Sequence, residues 1–237
     1  MQQLPLDLVK APPPTFANFV VGSNQEALAT VRAVADHTLP AGLLLLWGPP
    51  GSGKSHLLQA LRDSVPGALL LDPARAASIP QGGLMPDAAP APVILAEDVD
   101  GWHDAAQAGL FHLINLLKAE PQRRLVVTAA QPPAGLALRE DLRTRLAAGL
   151  VVGLRLLSDE DKARALLQSA AERGLRADQA VVHWLLTHQV RDIRHLIATL
   201  DALDQYALAR GRQLTLPLLR EFERNRLPGA GTDTLST

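Results

Sequence analysis

The sequence predicts an α/β fold, a five-stranded parallel sheet with helices on both faces, followed by a small all-helical domain. Three observations carry that expectation. Apolar runs recur at 43–47, 68–72, 93–96, 124–129 and 150–154, short enough for strands and apolar enough to be buried on both faces. Helical spacing fills the intervals, so strands and helices alternate as parallel strands with crossover helices require. Beyond Leu156 only helical spacing continues.

Composition sets limits on both fold and function. A chain of 237 residues, 47% hydrophobic, can build one sizeable core and a smaller one. With 20% charged residues and a net charge of −1, the chain is neither disordered nor drawn to nucleic acid by bulk charge. Aromatic residues, at 3%, are too few for a base-stacking platform. The absence of cysteine removes disulfides, thiolate nucleophiles and cysteine metal sites. There is neither a cationic-then-apolar leader nor an apolar stretch of bilayer length, which implies a soluble, cytoplasmic protein with no membrane partner.

In chain order, Met1 to Val9 carries Leu4, Leu6 and Leu8 in alternation, followed by Pro12-Pro13-Pro14. Held extended by the prolines, those leucines face one way, either into a partner's apolar groove or back onto the protein's own body. Thr15 to Gly22 reads as an extended apolar segment whose Phe16, Phe19, Val20 and Val21 belong to the core or to the wall of an adenine pocket. Ser23 and Glu26 have capping-box spacing and open a helix bearing Ala27, Leu28, Val31, Val34 and Ala35, which ends before Pro40. After the first strand and its helix, residues 73–92 hold many prolines and glycines and read as a surface loop. His103–Lys118 is helical. An arginine-rich helix covers 136–147 before the fifth strand. Ser158 caps a helix running to Gly174, with further helices expected over 178–188, 191–209 and about 215–226. The predicted divisions are a peptide and linker at 1–14, the α/β domain at 15–156, the helical domain at 157–226 and a disordered tail at 227–237.

The chemistry gathers after the first strand. Gly48-Pro49-Pro50-Gly51-Ser52-Gly53-Lys54-Ser55 reads G-x-x-x-x-G-K-S and lies between an apolar run and a helix beginning Ser55-His56. In that context the loop's N–H groups and the helix N-terminus cradle phosphate oxygens. Lys54 would reach the β- and γ-phosphates, and Ser55 would ligate Mg²⁺. At the end of the third strand, Glu97-Asp98 supplies a carboxylate for the metal and a second, Asp98, to polarise an attacking water. ADP or ATP with Mg²⁺ is the expected cofactor.

Together these motifs resemble AAA+ ATPases. Within that superfamily, Thr15–Gly22, T-A-A-Q-P-P at 128–133, L-R-T-R-L-A-A-G-L at 142–150 and L-S-D-E-D-K at 157–162 are similar to the DnaA family and to its shorter Hda-type regulatory inactivators. The resemblance spans residues 3 to about 226. It makes the helical domain an AAA+ lid, Arg145 an arginine finger acting in trans, and Arg191 a sensor arginine on the resident nucleotide, with Arg194 as the alternative. It also makes Gln3-Leu4-Pro5-Leu6-Asp7-Leu8 a sliding-clamp-binding peptide through Gln3, Leu4, Leu6 and Leu8. The family order at the acidic pair is aspartate first, and the family has an aspartate where this chain has Ala130. Both departures imply slow intrinsic turnover, with Thr128 the remaining candidate sensor.

The resemblance therefore implies an inactivator. It would bind the DNA-loaded clamp (the polymerase beta subunit), contact DNA only through that clamp, and stimulate hydrolysis of DnaA-bound ATP. The alternatives are a helicase loader of the same clade and a clamp-tethered adaptor. A homodimer is left open.

Overall fold

The computed structural model describes residues 12–79, 91–172, 179–188 and 192–226. Pro14–Leu157 forms one compact unit, and the chain from Ser158 onward belongs to a second. In the first unit the order is α1 (Gln25–Ala35), β1 (Leu43–Trp47), α2 (Lys54–Ser64), β2 (Leu69–Leu71), α3 (Pro73–Ala77), β3 (Val93–Ala96), α4 (Asp104–Leu117), β4 (Arg124–Ala129), α5 (Glu140–Ala147) and β5 (Leu150–Gly153). Short 3₁₀ turns cover Val99–Gly101 and Pro133–Gly135.

All strand pairs are parallel, in the order β2-β3-β4-β1-β5. Side chains alternate between the faces of a strand, so an uninterrupted apolar run must serve two cores. Leu44 and Leu46 of β1, Val126 of β4 and Val93 and Leu95 of β3 join Val31 of α1 and Leu57 and Leu61 of α2 on one face. Leu45, Leu125, Val127 and Ile94 join α3, α4 and α5 on the other through Ala76, Leu110, Leu113 and Leu142. Parallel strands covered on both sides expose their C-terminal ends along one edge, and ligands of open α/β sheets bind at such an edge.

Several local expectations are corrected. The Ser23–Glu26 capping box does not form. Asn24 precedes α1 without a capping hydrogen bond from its side chain. Its amide instead turns to the far end of the sheet, donating to the Arg155 carbonyl at 2.9 Å and accepting from the Arg155 N–H at 2.8 Å. Thr15 to Gly22 is bent rather than extended, because Thr15 and Asn18 each accept the other's N–H with their side chains. The expected loop at 73–92 begins as α3. Asp72 accepts the Arg75 N–H at 2.8 Å as its N-cap, Pro73 suits the first turn, and Ala76 and Ile79 are buried. The arginine-rich helix starts at Glu140, four residues late, because Pro133–Gly135 forms its own turn.

In the second unit, α6 (Asp159–Glu172), α7 (Gln179–His188), α8 (Ile193–Ala209) and α9 (Leu216–Arg226) enclose Leu166, Leu185, Leu196, Leu200, Leu218 and Phe222. Ser158 caps α6 as its sequence indicates. Its hydroxyl accepts the Asp161 N–H at 3.0 Å and donates to the Asp161 carboxylate at 2.9 Å. Among the described residues no helix is long and apolar enough to cross a membrane.

A buttress joins α8 to α9. Glu221 accepts from Tyr206 Oη at 3.0 Å and from Arg212 at 2.8 Å, and Arg210 lies 3.6 Å over the Tyr206 ring. The Tyr206 hydrogen bond first, and Arg212 next, hold the Glu221 carboxyl below its ordinary value of 4.5. A depressed folded-state pKa contributes stability that is complete above the unfolded value and is lost as pH falls through the folded one. Thermal unfolding of the helical unit, followed by circular dichroism, is therefore expected to come earlier as pH drops below 4.5. Glu221→Gln should flatten that acid limb, and an unchanged limb would remove Glu221 from the account.

On the sheet side, α4 and α3 meet at Gly109, where a Cβ would run into the Ala76 carbonyl. Gly109→Ala is expected to lower the urea unfolding free energy by about 3 kcal/mol, since backbone cannot yield as a flexible side chain does.

Candidate functional site

The C-terminal ends of β1, β3, β4 and β5 converge at one edge. Gly48 donates its N–H to the Ala129 carbonyl at 3.1 Å, and Leu154 donates to Trp47 at 2.7 Å, so the loop after β1 is tied to both neighbouring strands. Gly53 opens α2 with φ 102°, a conformation that disfavours any side chain, and a Cβ there would meet the Phe19 ring at 2.8 Å. Lys54 is 7% exposed and donates from Nζ to the loop's own carbonyls, Gly48 at 2.7 Å and Pro49 at 3.4 Å. The ammonium thus closes the loop on itself, its hydrogen bonds going to neutral carbonyls. Beside it, the Ser52 hydroxyl is buried and has no hydrogen-bond partner among the described residues. Backbone donors at a helix start, a buried cation and a spare hydroxyl suit the phosphates of a nucleotide. Lys54 and Ser52 would hold them, and the exposed Ser55 stands in the helix's first turn.

The leading segment closes over this loop. Phe19 is buried, packs edge-on to His56 with ring centroids 5.2 Å apart, and belongs to the α1–α2 core. His56 Nε2 lies 2.8 Å from the Thr15 carbonyl. Val20 and Val21 are half-buried, and Val21 packs against the same core. His56 is therefore occupied by the protein's own backbone and rings rather than aimed outward.

The acidic pair is shaped by register. Ala96 of β3 pairs with Val127 of β4, so the residues that follow, Glu97 and Thr128, emerge side by side. Asp98 takes a left-handed conformation, φ 45°, which a short polar side chain tolerates better than most. The Thr128 hydroxyl, fully buried, accepts the Asp98 N–H at 2.8 Å and lies 3.4 Å from its carboxylate. Two residues on, Asp100 accepts the Ala130 N–H at 3.3 Å. Sequence reasoning missed Asp100, which brings a carboxylate to the backbone of the very position where a side-chain carboxylate is lacking. Among the described residues no three His, Cys, Asp or Glu side chains cluster as a metal site would require. Any cation there would draw on the phosphates and Ser55 as well as on Glu97 or Asp98.

Arg145 lies in the last turn of α5, half-buried, with its guanidinium 5.9 Å from the centre of the Phe111 ring of α4. It forms no ion pair among the described residues, whereas Arg139 on the same segment is paired with Asp141 at 2.9 Å. In the helical unit Arg194 is paired with Asp192 at 3.4 Å. Arg191, the tail at 227–237 and the peptide residues Gln3, Leu4, Leu6 and Leu8 lie outside the described residues.

Comparison with known proteins follows the two units. Residues 159–222 match the family described as the lid domain of Hda, and residues 12–68 match the bacterial DnaA ATPase domain. Over 231 residues, 93% of this chain and 98% of the relative, the sequence is 27% identical to an uncharacterised protein of Haemophilus influenzae. Among solved structures, domain III of Thermotoga maritima DnaA superposes with a TM-score of 0.68 at 23% identity, covering 90% of this chain and 98% of that one. AMPPCP-bound DnaA from Aquifex aeolicus gives 0.67 at 19% identity, covering 93% and 71%. Thermotoga maritima RuvB, at 15% identity, gives 0.61 and covers 90% and 72%. These structural likenesses speak to the fold. Together with that fold, the matched lid and ATPase segments support an Hda-type, DnaA-related AAA+ protein.

Proposed function

We propose that this protein is a regulatory inactivator of DnaA. It holds ADP or ATP with Mg²⁺ in the loop 48–56 and docks on the DNA-loaded sliding clamp through Gln3, Leu4, Leu6 and Leu8. From there it presents Arg145 to ATP bound by DnaA. The observation that carries the reading is the Arg145 guanidinium, held over Phe111 with no carboxylate partner among the described residues. A cation free of local neutralisation can stabilise the charge that builds on a transferring γ-phosphoryl group. The Hda-type lid favours the inactivator over other DnaA relatives. AMPPCP in DnaA relatives of the same fold supports an adenine nucleotide as the ligand.

Within its own site the residues have separate tasks. Lys54 would leave the Gly48 and Pro49 carbonyls for phosphate oxygens, exchanging dipoles for full charges. Ser55 and Glu97 would hold Mg²⁺, which neutralises phosphate charge, and Asp98 would face the water. Thr128 is committed to the Asp98 N–H. That commitment, with Glu97 and Asp98 in reversed family order, supports slow turnover and a mainly structural nucleotide. Arg191 would contact that nucleotide from the lid.

The defining experiment follows hydrolysis of labelled ATP prebound to DnaA, with this protein, ADP and clamp-loaded DNA present. Stimulation should need the clamp, fall severely with Gln3→Ala and drop by about 10³-fold or more with Arg145→Ala. A clamp-tethered adaptor would tolerate Arg145→Ala, and a helicase loader would show no stimulation at all. Separately, calorimetry should find ADP binding abolished by Lys54→Ala. Thr128→Val should lower the unfolding free energy by about 1–2 kcal/mol, since it strands the Asp98 N–H.

A further inference from the structure

Two regions of the first unit lie apart in sequence yet are joined by one buried amide. Gln107, on the second turn of α4, is 6% exposed, and both ends of its side chain are engaged. Its Nε2 donates to the Trp102 carbonyl at 2.7 Å, and its Oε1 accepts the Arg139 N–H at 3.1 Å. Trp102 is also buried, and its indole Nε1 donates to the Glu97 carbonyl at 3.0 Å. The chain of contacts runs from the acidic end of β3, through Trp102 and Gln107, to the residue that opens α5. One turn further along α4, Phe111 lies under Arg145. Gln107 and Phe111 are four residues apart, on the same face of the helix, and so engage the start and the end of α5 respectively. The opposite side of α4 is held against α3 at Gly109.

We infer that Gln107 is a positioning residue that couples occupancy of the protein's own nucleotide loop to the presentation of Arg145. The inference rests on the reading of Arg145 as a finger acting in trans. Glu97 has a separate role at each end: its side chain is the candidate metal ligand, and its carbonyl accepts from Trp102 Nε1. A pull on the side chain shifts the backbone, Trp102 follows it, and Gln107 transmits the shift to the Arg139 N–H. A buried amide bonded at both ends can do this because neither end can let go without stranding a polar group. Held on one side by α3, the helix α4 passes the displacement to α5 rather than absorbing it. The regulatory consequence is that ADP and ATP in the inactivator's own loop set how well its arginine is aimed.

The test uses the full-length protein and reads amide hydrogen exchange at Arg139 and through residues 140–147, with and without ADP or ATP. Nucleotide is expected to change exchange at Arg139 by about tenfold in the unaltered protein. Gln107→Glu keeps the acceptor for the Arg139 N–H but loses the donor to Trp102. Its Arg139 amide should stay protected while ceasing to respond to nucleotide. Trp102→Phe should uncouple in the same way, with ADP affinity held within about threefold by calorimetry. A residue that merely stabilised the fold would alter baseline protection in these variants without erasing the nucleotide response.

Exchange at Arg139 that ignores bound nucleotide in the unaltered protein overturns the coupling. A response that survives in Gln107→Glu takes it away from Gln107. Absence of nucleotide binding would sink this inference and the nucleotide reading together. A normal exchange response without stimulation of DnaA-bound ATP hydrolysis would sink the finger reading and, with it, the regulatory consequence, leaving the coupling through Gln107 standing.

Discussion

Burial of β1 on both faces is the constraint on which everything else in the α/β unit depends. Leu44, Leu45 and Leu46 are essentially inaccessible to water and feed two separate cores. The strand sits between β4 and β5, and that places the loop after Trp47 at the C-terminal edge with a strand on either side. Truncating any one of these leucines would remove buried contacts worth about 2–5 kcal/mol, a large part of what holds a domain of this size together. The cradle's geometry is thus secured by apolar packing beneath it, and its polar residues are released for chemistry.

The same edge shows how register converts strand pairing into a site. Ala96 opposite Val127 delivers Glu97, Asp98 and Thr128 to one place, although thirty residues separate the last two. The Thr128 hydroxyl holds the left-handed turn at Asp98, and Trp102 grips the Glu97 carbonyl from below. The acids therefore project from a backbone whose Glu97 carbonyl and Asp98 N–H are already bonded. Such support keeps a site rigid without filling it.

Polar side chains elsewhere act as long-range fasteners in the same way. Asn24 reaches Arg155 across the sheet end, and Gln107 links Trp102 to Arg139. Each bridges elements distant in sequence with paired hydrogen bonds from a buried amide, where leaving either end unpaired is costly. Arg145, by contrast, lies over an aromatic ring with no ion pair among the described residues. A cation resting on a ring quadrupole keeps its charge available to a partner in a way that an ion-paired neighbour such as Arg139 does not.

What the sequence determined by itself was whatever is local or periodic. The five apolar runs, the phosphate-loop spacing, the Ser158 cap and the helical stripe of the second unit depend only on neighbours within a few residues. Each appears where its pattern indicated. Tertiary structure decided the destinations of side chains with more than one possible partner. Asn24 left its helix for Arg155, and Phe19 and His56 turned to each other and to the loop. Asp100 reached Ala130, and Gln107 joined α4 to α5. Their alternatives are nearly equal in energy locally, because a short amide or carboxylate can bond almost any nearby backbone group. The choice is made only when the sheet closes, removes water, and leaves one partner within reach.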